Sequence, residues 1–569
     1  MSPSLPAAAS LMRRRAPIVL ELDLTEGILE RSPADPIGKI GARRRAVLPH
    51  VLEALRLAAD DAHVRGLLVR LGGRRMGLGT AQELRDAVER FRAAGKWAIA
   101  WSDAFNEFGP GNVPYYVSTA CDEVWLLPSG SVGLIGVGAD VTFLHDALAK
   151  AGVRVEVGKR YEYKNAPNAL THAAFTPEHR EATTRLVESA QEQLVAGIAA
   201  ARRLDPRDVQ AAIDAGPLLA EEARERGLVD RLGYRDEVHA RARERAGGPG
   251  GADAVRLLFA ERYRRQAARP GPIDRVRRRG EPVVALVHAV GPIRIGRSGR
   301  SPLTGDSIGS DTVSAALRAA TEDDAVRAIV LRVDSPGGSA VASDVIWRSV
   351  RLARQAGKPV VVSMGDVAGS GGYYVSCGAD EIVAHPGTLT GSIGVFGGKP
   401  VIRELLDRLG VTVETVTAAE RALMFSTRRP FAEGEWERIQ RYLDAVYDDF
   451  VAKVGEGRRM SSSAVHEVAQ GRVWSGADAL ERGLVDRLGG LDLAIDAARD
   501  RARLATGRGT VREFPKISPL ARVRPAASSE DPAAASAGLP AWEPLAGLAA
   551  HLGLPAGGAL SMPFLPILE

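Results

Sequence analysis

A serine set among glycines is the first group in this chain that can do chemistry. Ser370 stands in Ala368-Gly369-Ser370-Gly371-Gly372-Tyr373. Flanking glycines allow a tight, exposed turn, and the helix start that follows favours a developing negative charge. A second glycine-rich turn, Asp334-Ser335-Pro336-Gly337-Gly338-Ser339, precedes it. Glycines at such a turn let backbone N–H groups converge on one point. Converging N–H groups form an oxyanion hole, which stabilises charge on a carbonyl oxygen during acyl transfer. A serine nucleophile also needs a base. Histidine is the usual one, but no histidine lies between His385 and His466. His385 is a candidate on sequence proximity alone. A lysine serves if it is neutral; its ordinary pKa is about 10.4, and burial lowers it. Lys164, in Tyr163-Lys164-Asn165-Ala166, follows the strand-like run Val153-Arg154-Val155-Glu156-Val157. Lys159 is a rival base in the same stretch.

The elements that position these residues follow a β-then-α rhythm. Ala328 to Val333 reads as a strand and Ser339 to Gln355 as a helix. Pro359 to Ser363 reads as a strand, and Ser370 to Cys377 starts a helix. Long helical patterns lie near 178–200 and 435–455. This alternation predicts an α/β fold with largely parallel strands.

The chain also repeats itself. Glu-Arg-Gly-Leu-Val-Asp-Arg-Leu-Gly occurs at Glu225 to Gly233 and at Glu481 to Gly489. Val64 to Arg70 matches Val326 to Arg332, and Pro114-Tyr115-Tyr116-Val117 matches Gly372-Tyr373-Tyr374-Val375. Leu134-Ile135-Gly136-Val137 matches Ser392-Ile393-Gly394-Val395. A repeat this long is a duplicated domain rather than a solenoid, whose periods run about 20–50 residues. The copies have diverged in a complementary way. The first has Asn112 or a close neighbour where the second has Ser370. The second has no lysine between Lys399 and Lys453, where the counterpart of Lys164 would fall. The predicted organisation is a disordered lead over 1–16, an N-terminal repeat carrying the lysine over 17–245, a connector over 246–280, a C-terminal repeat carrying the serine over 281–505, and a tail over 506–569. The tail is rich in Ala, Pro, Gly and Leu and reads as disordered or as a membrane-contacting segment.

Together these motifs, with Gly387-Thr388-Leu389-Thr390-Gly391-Ser392-Ile393-Gly394-Val395, resemble the long, duplicated form of signal peptide peptidase A, a family of Ser-Lys proteases with the Clp/crotonase fold. The resemblance covers roughly residues 17–505. It implies tandem Clp/crotonase-like domains, with Ser370 as nucleophile, Lys164 as general base, and Gly337 and Gly338 as the oxyanion turn. It implies that Ser392 orients the lysine. It further implies peptide substrates such as signal-peptide remnants, a homo-oligomer (a tetramer by default), and no metal or organic cofactor. Around the lysine the family tends to read Gly-x-Tyr-Lys-Ser-Ala; here Gly158 to Lys164 is longer. A crotonase-like acyl-CoA enzyme would share the fold and the oxyanion turn without needing Ser370. A catalytically inactive peptide-binding scaffold is the third reading.

Composition sets the outer bounds. With 45% hydrophobic and 25% charged residues, the 569-residue chain is an ordinary globular protein. Its net charge is +5 and its arginines are scattered, which argues against nucleic-acid binding. No apolar run reaches the roughly 18 residues of a transmembrane helix, and no signal-peptide core is seen at the N-terminus. The expected location is membrane-associated or cytoplasmic, with peripheral membrane contact left open. Two cysteines, Cys121 and Cys377, read as buried free thiols, and no zinc spacing occurs. Tyr373 and Tyr374 read as core packing.

Overall fold

The structure, a computed structural model, describes residues 16–33, 45–72, 76–247, 251, 254–268, 280–301, 305–505, 509–515 and 559–562. Residues 1–15 of the expected lead and most of the expected tail lie outside the described residues, but Thr510–Phe514, read as tail, is an edge strand of the second sheet. The chain divides into two compact units. One is Met1–Gly138 with Ala190–Arg279, and the other is Ala139–Ser189 with Gly280–Leu568.

The first unit is built on a six-stranded parallel sheet. Its order is Arg231–Leu232, Glu123–Leu126, Trp97–Ser102, Val64–Arg70, Ile18–Asp23, Arg256–Phe259. The β-branched and aliphatic runs buried along these strands are those of a parallel sheet covered on both faces. Residues 246–280, read from sequence as a connector, supply the Arg256–Phe259 edge strand and the Ala260–Ala267 helix.

The second unit repeats that order. Arg487–Leu488, Glu381–Ala384, Val360–Gly369, Val326–Ser335, Val283–Val290 and Thr510–Phe514 lie side by side, all parallel. Two sheets with the same strand order are the structural counterpart of the internal duplication. Val283, Val284, Ala285, Ile329, Val330, Leu331, Val361 and Val362 are buried in the sheet. Helix Ala340–Gln355 is capped by Ser339, whose side chain accepts from the Ala342 N–H, as N-cap serines do. Val360–Gly369 also pairs with Leu389–Gly391, which in turn pairs antiparallel with Val473–Ser475.

The segment Ala139–Ser189 belongs to the first repeat in sequence but to the second compact unit in space. Its strand Arg154–Arg160 pairs antiparallel with Val395–Val401 over seven residues, Arg160 opposite Val395. Helix Glu433–Arg458 backs this ribbon through Ile439, Leu443 and Tyr447. Arg160 pins it there: Nε donates to Asp444 Oδ1 at 2.5 Å, Nη1 to Gln440 Oε1 at 2.8 Å and Nη2 to the Gln440 carbonyl at 2.9 Å.

Candidate active site

Ser370 sits where the Val360–Gly369 strand hands over to the short helix Gly371–Ser376. Its backbone has φ 54° and ψ −112°, a conformation that non-glycine residues rarely adopt. Strain of this kind collects at functional turns, and it displays a nucleophile at the tip of a sharp strand-to-helix elbow. Two hydrogen bonds hold it: the Ser370 N–H donates to the Gly391 carbonyl, and the Tyr374 N–H donates to the Ser370 carbonyl, both at 2.8 Å.

Lys164 reaches this turn from the loop that follows Arg154–Arg160. Its N–H donates to the Tyr161 carbonyl at 3.2 Å. Gly471, at φ +86°, lies flat against it; a Cβ there would stand 2.5 Å from the Lys164 Cα. The aliphatic side chain is fully enclosed, and Nζ lies 2.9 Å from Ser370 Oγ, 3.0 Å from Ser392 Oγ and 3.2 Å from the Ser392 carbonyl. Lys164, Ser370 and Ser392 are each 0% exposed. None of these partners carries a charge. Burial without a counter-ion holds the Lys164 amine well below the ordinary lysine range, because the charged form loses its hydration and gains nothing in return. A neutral amine has the lone pair that proton abstraction needs.

The remaining candidates lie elsewhere. Lys159 Nζ donates to Asn168 Oδ1 at 2.9 Å and to the Glu162 carbonyl at 3.3 Å, and burial lowers its pKa too. His385 is buried at the start of a turn, where its N–H donates to Thr388 Oγ1. Tyr373 is a packing residue whose hydroxyl donates to the Leu484 carbonyl. Tyr374 packs at a tilt against Phe450. Cys121 and Cys377 are free and buried, as expected. At the glycine turn read as an oxyanion hole, the Gly337 N–H donates to Ser335 Oγ at 3.1 Å. Gly338 lies in the two-residue strand Gly337–Gly338, beside Ile293.

Asn112 opens a helix in the first unit, as Ser370 precedes one in the second. Its Nδ2 donates to the Gly136 carbonyl at 2.7 Å, and its Oδ1 accepts from the Ile135 and Gly136 N–H groups at 2.9 and 3.1 Å. The amide thus ties down the loop that matches Ser392 to Val395, and it is no nucleophile.

The sequence did not point to Gly471 or Tyr161, which hold the Lys164 backbone. Nothing in their local pattern distinguishes them from ordinary turn residues.

Residues 90–248 and 352–505, one stretch in each repeat, match Peptidase family S49. The chain is 30% identical to a chloroplastic serine protease SPPA of Arabidopsis thaliana, over 85% of this chain and 69% of that one. It is 32% identical to Protease 4 of Salmonella typhi, over 80% of this chain and 72% of that one. A putative signal peptide peptidase SppA of Enterococcus faecium is 37% identical over 33% of this chain and 55% of its own length. With the same family matched in both copies of a duplicated α/β chain, the protein belongs to peptidase family S49 and is a serine peptidase.

Proposed function

We propose that Ser370 and Lys164 form the catalytic dyad of an endopeptidase acting on apolar, membrane-derived peptides such as signal-peptide remnants. The observation that carries this reading is the 2.9 Å contact between Lys164 Nζ and Ser370 Oγ, with no charged partner among the described residues to stabilise an ammonium. Lys164 takes the hydroxyl proton as Ser370 Oγ bonds to the peptide carbonyl carbon. The resulting oxyanion is stabilised by the Gly338 N–H. Lys164 returns the proton to the leaving amine as the C–N bond breaks, leaving an acyl-enzyme. Water, giving its proton to the same amine, releases the acyl group. Ser392 holds the amine in line through its hydroxyl.

Assembly into a homo-oligomer is part of the same proposal. Residues Val411-Thr412-Val413-Glu414-Thr415-Val416 alternate like a strand, and Val416 is 99% exposed. Leu409 and Phe425, at 68% and 70% exposure, flank them. Apolar exposure of this kind marks an interaction surface. Among the described residues no helix is long and apolar enough to cross a membrane.

A fluorophosphonate probe tests the nucleophile. The full chain is expected to take up one label at Ser370, and Ser370→Ala to take up none and to lose peptide cleavage by at least about 10³-fold. Persistent labelling and turnover in Ser370→Ala would assign the chemistry to another residue.

A further inference from the structure

The segment Gly471-Arg472-Val473-Trp474 meets both walls around Lys164. Three backbone contacts tie it to the segment that carries Ser392. The Gly471 N–H donates to the Ile393 carbonyl at 2.8 Å, and the Ser392 N–H donates to the Arg472 carbonyl at 2.6 Å. Gly391 pairs with Val473. On its other side, Gly471 lies against the Lys164 backbone. Ser392 is the residue whose hydroxyl and carbonyl contact Lys164 Nζ.

The Arg472 side chain continues the same tie. Its guanidinium carbon stands 4.9 Å from the centre of the Tyr163 ring and 4.1 Å from that of the Trp474 ring. Nη2 donates to Glu181 Oε1 at 2.7 Å, on helix Pro177–Arg202. Nε is buried and has no hydrogen-bond partner among the described residues. A planar guanidinium packs on aromatic faces in this way, and the attraction strengthens as water is removed. The Arg472 side chain is mostly buried, whereas Glu181 is half exposed.

Tyr163 marks the point where the chain leaves the surface. Tyr161 and Glu162 are exposed, Tyr163 is half-buried, and every residue from Lys164 to Asn168 is buried. Arg472 therefore packs on the last partly exposed residue before the lysine. Other charged and titratable groups face this contact. Glu181 and Glu178, on one helix, both act on Tyr163, and burial with Glu181 pushes its hydroxyl up, so the ring stays neutral. Glu178 also acts on Lys159 of the preceding strand. Arg482 stands over Trp474, 3.9 Å from the ring centre. Among the described residues none of these groups is a hydrogen-bond partner of Lys164 Nζ.

We propose that Arg472 is a positioning residue for the base: it clamps Tyr163 to the Ser392 segment and so keeps water from the Lys164 side chain. The proposal deepens the dyad reading and rests on it. Burial is what keeps the Lys164 amine neutral. A gap beside Tyr163 would let water reach the ammonium and restore its hydration. Arg472 acts through Tyr163 and Ser392; its own side chain makes no hydrogen bond to Lys164 or Ser370 among the described residues.

The test follows the rate at which a fluorophosphonate acylates Ser370 across pH. It compares the full chain with Arg472→Met, Arg472→Lys, Tyr163→Ala and Lys164→Ala. Opening the clamp in Arg472→Met or Tyr163→Ala should move the ionisation up by at least about one pH unit, so that the rate at a fixed pH below it falls about tenfold. The high-pH plateau should stay within about threefold of the parent, because the neutral amine is still in place. Arg472→Lys keeps the charge without the planar face, so it should shift the ionisation less than Arg472→Met. An arginine that only supports the fold has a different signature: a lower plateau with the ionisation unmoved. Arg354→Met, which breaks the ion pair with Asp380 outside the site, is that control. An unmoved ionisation in both Arg472→Met and Tyr163→Ala would overturn the proposal; where Arg472→Met does not fold, Tyr163→Ala decides. If the parent shows no ionisation that Lys164→Ala removes, the dyad reading fails and the clamp with it. If that ionisation belongs to Lys164 and the clamp variants leave it in place, the clamp alone fails.

Discussion

At the residue scale the proposed dyad depends on keeping one lysine neutral. Lys164 has two hydroxyls and a carbonyl around Nζ and no carboxylate. In the unfolded chain it titrates near 10.4; in the folded chain burial depresses it. Between those two values the unfolded state binds the extra proton, so stability rises with pH across that window. Below the folded value both states are protonated and the cost of the buried charge is complete. Lys164→Met removes this cost. It should raise the melting temperature by roughly a few degrees at neutral pH, and the gain should shrink as pH approaches 10.4; thermal unfolding at several pH values measures it. Ser392 has a smaller part. Loss of its hydroxyl removes one hydrogen bond of about 1–1.5 kcal/mol, so Ser392→Ala should lower kcat about tenfold and leave KM unchanged in steady-state kinetics.

At the element scale, Lys164, the proposed base, is delivered by a strand pairing that joins distant parts of the sequence. Arg154–Arg160 bonds to Val395–Val401, and Gly471 bounds the Lys164 backbone from the other side. Gly471→Ala puts a methyl group into that backbone at a residue with φ +86°. Misplacement of a catalytic group by about 1 Å costs about 10²-fold, and kcat/KM should fall by that order while Ser370 is still labelled slowly by the probe. Much of this scale was legible beforehand. The strand read at Ala328 to Val333 is Val326–Ser335, the helix read from Ser339 is Ala340–Gln355, and the patterns near 178–200 and 435–455 are Pro177–Arg202 and Glu433–Arg458. These rest on local periodicity and caps. The Arg154–Arg160 pairing was not legible, because an antiparallel partner far along the chain leaves no mark on either segment's own pattern. The strand at Leu560–Ser561 escaped for the same reason: two residues in a proline- and glycine-rich stretch show no period.

At the scale of the whole molecule, duplication has produced two units with one strand order and unequal chemistry. Asn112 seals the first unit's counterpart of the serine turn, while the second unit holds Ser370, Ser392 and the imported Lys164. The Val411 to Val416 run, exposed in the second unit, is the surface assigned to the proposed oligomer contact. Val413→Asp with Val416→Asp should shift the protein to smaller species in sedimentation velocity, and an unchanged distribution would place the oligomer contact elsewhere.

The central claim is that a neutral Lys164 activates Ser370. The rate at which a fluorophosphonate acylates Ser370, followed across pH in the full chain and in Lys164→Ala, Lys164→Arg and Lys159→Ala, tests it most directly. The rate should rise with pH through a single ionisation well below the ordinary lysine value. Lys164→Ala and Lys164→Arg should both be slower by about 10²–10⁴-fold, since arginine stays protonated, and Lys159→Ala should match the parent. Near-parental acylation in Lys164→Arg, or loss of acylation in Lys159→Ala alone, would contradict the account.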